Sequence, residues 1–314
     1  MTDFLHARKD FNDLLSIVAE QKRIAPVLVE KDYWIMHCLW GLQALRTRFE
    51  LKGGTSLSKG FGIVHRFSED IDIRIQPPSH LDVKAGANHD KPAHVESRRN
   101  FYDWLSKNID IPGIDTVSRD MAFDERKLRS AGIRLSYPNK VGLQTGVKDG
   151  ILLEVGFDDI APNRPITISS WAYDVAVQKG VTIRDNRAVN VSCYLPTYTF
   201  VEKLQTVSTK YRLQKAGHAF PANFMRHYYD IYALLALPEV QNFIGTQAYQ
   251  THKARRFRNG DELVAAQNQA FLLEDFEERS RFEHEFHKTA ALYYNGQPSL
   301  DEILSRIRCF IHRM

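Results

Sequence analysis

Cysteine is scarce. The 314-residue chain has three, Cys38, Cys193 and Cys309, far apart and odd in number. That excludes a disulfide framework and a CxxC thiolate metal site, and leaves three ordinary small side chains. No run of about 18 apolar residues occurs, which excludes a membrane-spanning helix. Residues 1–10 lack a basic segment followed by an apolar one, so no secretory signal is expected and the cytoplasm is the expected location. Neither sign of charge dominates: 42 basic and 38 acidic side chains give +4. The excess is shared evenly between residues 1–200 and 201–314, so any nucleic-acid footprint must be local. Internal repeats and low-complexity tracts are absent. What is present is the composition of a soluble globular protein, 43% hydrophobic and 11% aromatic, long enough for one large domain or two ordinary ones.

Hydrophobic periodicity divides the chain. Phe11, Leu14, Leu15 and Val18 recur at helical spacing, and Ile35, Leu39, Leu42 and Leu45 continue the pattern after Pro26. A short strand is expected over 49–52, ending at Gly53-Gly54, then a helix over 55–64 and an alternating strand over 71–75. Residues 76–92 read as a polar loop, followed by a helix through 98–105. Further strands are expected over 132–137, 151–157, 166–169, 181–184 and 189–195. From Pro196 the pattern is helical. Thr199-x-x-Glu202 and Ser299-x-x-Glu302 read as capping boxes, with other helices opening at Pro221 and near Asp261. The expectation is a mixed α/β domain over 1–197 and an all-helical domain over 198–314.

Chemistry concentrates in residues 51–75. Asp70 and Asp72 lie two apart at the start of a strand, so both carboxylates point to one face while Ile71, Ile73 and Ile75 point to the other. Adjacent carboxylates disfavour each other's ionisation, and a cation between them removes that cost. Hard oxygen ligands suit Mg²⁺ or Mn²⁺, which also bind substrate phosphates. An isolated Asp-x-Asp is equally a solvated strand face, and two glycines are equally a plain turn. Upstream, however, Gly53-Gly54-Thr55-Ser56 joins a strand to a helix, where bare backbone and N-terminal N–H groups can approach a phosphate. The loop is not a Walker A motif, since Lys59 precedes Gly60 rather than following it. Together, the turn and the carboxylate pair describe a metal-dependent nucleotidyl-transfer site.

Gly53-Gly54-Thr55 followed by Arg66-Phe67-Ser68-Glu69-Asp70-Ile71-Asp72 resembles the signature of the AbiEii/AbiGii-type nucleotidyltransferase toxins. These are the toxin halves of type IV toxin–antitoxin systems, within the DNA polymerase β-like nucleotidyltransferase superfamily. Val29-Glu30-Lys31-Asp32-Tyr33-Trp34 is similar to the family's N-terminal helix. Glu202-Lys203-Leu204, with Arg212 downstream, and Arg226-His227-Tyr228-Tyr229-Asp230-Ile231-Tyr232 resemble its later motifs. The resemblance spans about 29–235 and says little of 240–314.

It implies an α+β nucleotidyltransferase fold, a mixed β-sheet with flanking helices, followed by the all-helical domain. It implies that Asp70 and Asp72 hold a divalent metal, and that Gly53, Gly54, Thr55, Ser56 and Lys59 serve the nucleotide. Lys203 and Asp230 join Asp70 and Asp72 as catalytic candidates. Superfamily members commonly add a third carboxylate. Glu154 is the candidate here, because an acid inside the apolar strand around it needs a partner; a salt-bridged structural role stays open. Lys203 with Asp230 equally describes a salt bridge between packed helices, and Arg226 is spaced to pair with Asp230 at i, i+4. The implied reaction moves a nucleoside monophosphate from an NTP to RNA, particularly the tRNA 3′ end, with a cognate antitoxin as partner and no membrane. Rival readings are a transferase acting on a protein or small molecule, a metal-dependent nuclease, and a binding protein with a decayed pocket. The basic run Lys253, Arg255, Arg256, Arg258 could grip RNA or be a solvated loop. His284 and His287 are spaced three apart, not as HExxH, and read as helix surface.

Overall fold

The computed structural model describes residues 2–45, 47–142, 147–221 and 223–314. The chain forms two compact units, Met1–Phe61 with Ser68–Tyr194, and Gly62–Phe67 with Leu195–Met314.

The first unit is built on a seven-stranded mixed sheet. Its strands are β1 (Phe49–Lys52), β2 (Asp70–Ile75), β3 (Thr116–Asp120), β4 (Ser130–Ser136), β5 (Ile151–Gly156), β6 (Asn163–Ile168) and β7 (Ala188–Tyr194), in the order β3-β4-β5-β2-β1-β7-β6. β2 is central, antiparallel to β1 and parallel to β5. Its burial alternates residue by residue, with Ile71, Ile73 and Ile75 buried and Asp70, Asp72 and Arg74 half-exposed. This is the period-two pattern read from the sequence.

Helices α1 (Phe11–Lys22) and α2 (Pro26–Gln43) precede the sheet. α1 buries one face through Phe11, Leu15, Val18 and Ala19. α2 is buried nearly all round and packs on α1, β5 and β7, as a helix without a polar face must. Three charged residues in succession, Glu30, Lys31 and Asp32, are enclosed with it. After β1, a helical turn α3 (Gly53–Thr55) runs into a single π-helical turn over Ser56–Gly60, shorter than the expected helix to 64. α4 (Pro92–Asn108) and α5 (Trp171–Gln178) complete the unit.

The second unit is helical: α6 (Pro196–Lys215), α7 (Arg226–Leu234), α8 (Pro238–Phe243), α9 (Gln247–Arg256), α10 (Gln269–Leu272), α11 (Phe276–His287) and α12 (Leu300–Phe310). α6 packs on α7, α8, α9 and α10. Segment Gly62–Phe67 belongs here, with the Phe67 N–H donating to the Leu292 carbonyl at 2.8 Å and Arg66 bridged to Tyr293.

Several local expectations are corrected. α6 starts at Pro196 without a side-chain cap, because the Thr199 hydroxyl turns back to the Leu195 carbonyl at 3.0 Å; there is no capping box with Glu202. The second box, Ser299 with Glu302, is formed at α12. Residues 181–184 are not a strand, no helix opens near Asp261, and α7 starts at Arg226 rather than Pro221. β3 and α5 escaped the sequence reading. No helix among the described residues is long and apolar enough to cross a membrane.

Candidate active site

The sheet register assembles the acidic face. Asp72 on β2 stands opposite Lys52 on β1 and opposite Glu154 on β5, and Asp70 stands opposite Leu152. Glu154 is the one residue of β5 that is not fully buried. Its carboxyl is pushed up to about 7, first by burial, then by the charges of Asp72 and Asp70, with Lys148 and Lys52 opposing. The three carboxylates therefore share one electrostatic field.

The glycine turn sits directly against this face. Gly53 has φ +71°, the left-handed region that disfavours any side chain. A Cβ there would lie 2.9 Å from Asp72 Cγ and closer still to Oδ2. Gly53 is thus demanded twice, by backbone conformation and by the carboxylate packed on it. Gly54, Thr55 and Ser56 are buried. The Thr55 hydroxyl donates to the Asp70 carbonyl, so it ties the turn to the start of β2 instead of reaching toward a triphosphate. Ser56 lies against the Cys193 thiol. Both side chains thus support the turn, and its backbone is the part that faces a phosphate.

Lys59 is also redirected. Its ammonium is 2.6 Å from Asp32 Oδ1 and stacks over Trp171, at 5.3 Å from the ring centroid. Asp32 is fully buried and accepts the Trp171 N–H at 2.8 Å. Lys59 therefore pins the turn to α2 and to the start of α5. Its neighbours on α2 do similar work. Glu30 accepts the Lys140 N–H at 3.0 Å. Lys31 reaches Glu69 Oε1 at 3.5 Å and donates to the Lys148 carbonyl. Glu30 and Lys31 thus both hold the connection between β4 and β5, and Asp32 holds the glycine turn and the start of α5. Their signal in the sequence was a charged triplet inside an otherwise apolar helix, since enclosed charges must be paired.

One residue had no signal at all. Lys148, from the loop before β5, places its ammonium 2.7 Å from Asp70 Oδ2. Asp70 Oδ1 is buried with no hydrogen-bond partner. That orphaned acceptor, beside Asp72 and Glu154, fits a hard divalent cation. Among the described residues no group of three or more His, Cys, Asp or Glu forms a ready metal cage. Mg²⁺ does not need one, because it is usually held by one or two carboxylates together with substrate phosphates.

The remaining candidates lie in the helical unit. Asp230 on α7 is completely enclosed and held by a bidentate pair with Arg66 (Nε–Oδ1 and Nη2–Oδ2, both 2.7 Å) and by Lys203 Nζ at 2.8 Å. Burial opposes its charge, but Arg66 and Lys203 hold its carboxyl far below the usual range. Arg66, from the segment before β2, is thus a partner of Asp230 that the helix spacing did not point to. Lys203 keeps a slight exposure. The half-buried His227 beside it is held well below its usual pKa by desolvation and by the charges of Lys203 and Lys210. In the basic run, Lys253 is buried and donates to the Met314 carbonyl at 2.8 Å, and Arg256 pairs with Glu202 at 3.3 Å. These two side chains are structural. His287 sits on the exposed face of α11, 3.9 Å from Glu283.

The family model described as nucleotidyl transferase AbiEii toxin, type IV TA system, matches residues 34–306, and the chain belongs to that family. It is a nucleotidyltransferase by that membership, and a type IV toxin implies an NTP substrate and an antitoxin. Among solved structures, the crystal structure of an antigenic nucleotidyltransferase-like protein from Paracoccidioides brasiliensis is similar at 15% identity and a TM-score of 0.39, over 72% of this chain and 87% of that one. No curated protein matches the chain.

The raised Glu154 carboxyl has a consequence for stability. Its folded pKa of about 7 exceeds its ordinary value of 4.5, so the folded state holds the proton more tightly than the unfolded one. Stability of the metal-free protein is therefore greater below about pH 4.5 by this contribution, and falls as pH rises toward 7, by at most about 3 kcal/mol. Urea unfolding from pH 5 to 8 should show this decline in wild type and a flatter profile in Glu154→Gln.

Proposed function

We propose that this chain transfers a nucleoside monophosphate from an NTP to an RNA hydroxyl, with the tRNA 3′ end as the acceptor, and releases pyrophosphate. The observation that carries the transfer is the same-face placement of Asp70, Asp72 and Glu154 against the Gly53 turn. What supports an RNA acceptor is the toxin family: a tRNA whose 3′ end is blocked could not be aminoacylated, and growth would stop until an antitoxin intervened.

Asp70 and Asp72 are the residues that would hold Mg²⁺ or Mn²⁺, with Glu154 as a third carboxylate. A divalent ion there supplies the Lewis acidity that polarises the α-phosphate and stabilises attacking and leaving oxygens. The Gly53-Gly54 backbone approaches the polyphosphate where side chains would obstruct it. Thr55, Ser56 and Lys59 keep that turn in register with β2 and α2. The family resemblance is what supports Lys203 and Asp230 as further catalytic groups, and Asp230 holds the Lys203 ammonium at 2.8 Å beside Arg66.

The test is incubation of the purified chain with each α-labelled NTP, in the presence of total RNA and total protein. Label should enter RNA of tRNA size, with one or two NTPs preferred, and the RNA should lengthen only when NTP is present. Chelation should stop the transfer and added Mg²⁺ or Mn²⁺ restore it. Label confined to protein would refute the RNA acceptor. RNA shortened without NTP would make the site a nuclease.

A further inference from the structure

We propose that Lys148 is an exchangeable counter-ion of the active site: it neutralises Asp70 in the metal-free protein and passes to the NTP polyphosphate when a divalent cation takes the carboxylates. This rests on the nucleotidyl-transfer reading of the same site and adds a residue to it.

The Lys148 backbone is clamped. Its N–H donates to Glu69 Oε1 at 2.9 Å, and its carbonyl accepts from Lys31. Lys31 and Glu69 are themselves enclosed and 3.5 Å apart. The side chain is held quite differently. About one-third of it is exposed, its ammonium makes an ion pair with Asp70 Oδ2 at 2.7 Å, and it passes 5.5 Å from the Phe123 ring centroid. A fixed peptide bearing a flexible four-carbon arm is a device for moving a compact positive charge a few ångströms without moving the loop.

The charge balance says when the arm moves. In the metal-free protein two aspartates and Glu154 share a face, with Lys148 and Lys52 as the cations acting on Glu154. Lys148 covers only one oxygen of Asp70 and leaves Oδ1 orphaned, so the carboxylate is incompletely satisfied. Once a divalent cation is bound, the attraction between Asp70 and Lys148 is largely cancelled. The polyphosphate arriving at the same face is then the strongest anion within the arm's reach. Lysine suits that role, since it binds phosphate as a point charge and needs no fixed fork geometry.

The inference makes two opposed binding effects from one substitution. Lys148→Met keeps the stem and removes the charge. Mn²⁺ titrated into the metal-free protein should bind about 5- to 10-fold more tightly to Lys148→Met than to wild type, because the competitor is gone. A non-hydrolysable NTP analogue, titrated at saturating Mg²⁺, should bind about 5- to 10-fold more weakly, because the released charge is gone. Lys148→Arg should return both affinities toward wild type. Unchanged or weaker Mn²⁺ binding by Lys148→Met overturns the proposal, and so does unchanged analogue binding. Asp72→Asn separates this from failure of the site itself. If Mn²⁺ binding is lost in Asp72→Asn while Lys148→Met matches wild type, the site stands and the counter-ion does not. If Asp72→Asn binds Mn²⁺ like wild type, the metal site is wrong and the proposal falls with it.

Discussion

Gly53→Ala should abolish nucleotidyl transfer as completely as Asp72→Asn, each losing at least about 10³-fold in rate, equivalent to about 4 kcal/mol of transition-state stabilisation. The two substitutions reach the same point from opposite sides. Asp72→Asn keeps the shape and removes the charge. Gly53→Ala keeps every charge, but its new methyl needs the space occupied by the Asp72 carboxylate and requires a side chain at φ +71°. The left-handed backbone alone costs about 1–2 kcal/mol, so the alanine variant should fold with a modestly lowered Tm. Its Asp72 must rotate away from the site or the turn must move off β2. Either response separates the carboxylate from the phosphate-facing backbone. Single-turnover transfer of labelled NMP measures the loss, and Mn²⁺ titration should show weakened binding in both variants. A Gly53→Ala protein with normal turnover would mean that the contact between turn and carboxylate is incidental. Gly62 is the control: it also has positive φ, but nothing lies within 4 Å of a Cβ there. Gly62→Ala should therefore cost stability without comparable loss of activity.

Much of this site was legible because strands report their faces. Asp70 and Asp72 alternate with Ile71 and Ile73, and a period of two leaves only one arrangement. The identification of Glu154 as a partner came from an acid in an apolar strand, and the parallel pairing of β2 with β5 places it opposite Asp72. What the sequence did not disclose is where long side chains end. The resemblance implies that Lys59 serves the nucleotide, while in the structure its ammonium rests on Asp32, 27 residues upstream on a buried helix. Lys148 stands in a loop with no periodicity, so nothing local distinguishes it from a solvated lysine. Thr55 faces inward because α3 is a single turn that becomes a wider π-turn, which helical periodicity does not anticipate. Thr199 and Glu202 match a capping box in type and spacing, but Pro196 begins the helix three residues earlier, at a position suited to it. Contacts over long sequence separation decided the two lysines, and local turn and helix-start geometry decided Thr55 and Thr199.

Asp230→Ala should be the most destabilising single substitution in the helical unit, by about 3–5 kcal/mol, because it strands charge rather than merely removing a contact. Arg66 is almost wholly enclosed, and its guanidinium makes two bonds to Asp230. Without the carboxylate, the buried guanidinium keeps, among the described residues, only the Phe67 carbonyl as a hydrogen-bond acceptor. Arg66 also belongs to segment Gly62–Phe67, tied to Leu292 and Tyr293, so its loss of footing should release that segment too. Chemical denaturation monitored in the helical unit measures this, for example by the fluorescence of tryptophans introduced there. Lys203→Met should behave in the opposite way. Its ammonium is slightly exposed and is the second cation on Asp230, so its removal leaves the bidentate Arg66 pair intact. The expected stability loss is about 1–2 kcal/mol, smaller than for Asp230→Ala because the remaining Arg66 pair still compensates the buried carboxylate. Transfer should nonetheless fall by at least about tenfold, as the loss of a charged catalytic group predicts. The contrast tests the roles assigned to the two residues. A Lys203→Met protein that unfolds as readily as Asp230→Ala, with activity per folded molecule unchanged, would make both residues structural. A stable, inactive Lys203→Met beside an unstable Asp230→Ala would divide them into a group that meets substrate and a group that positions it.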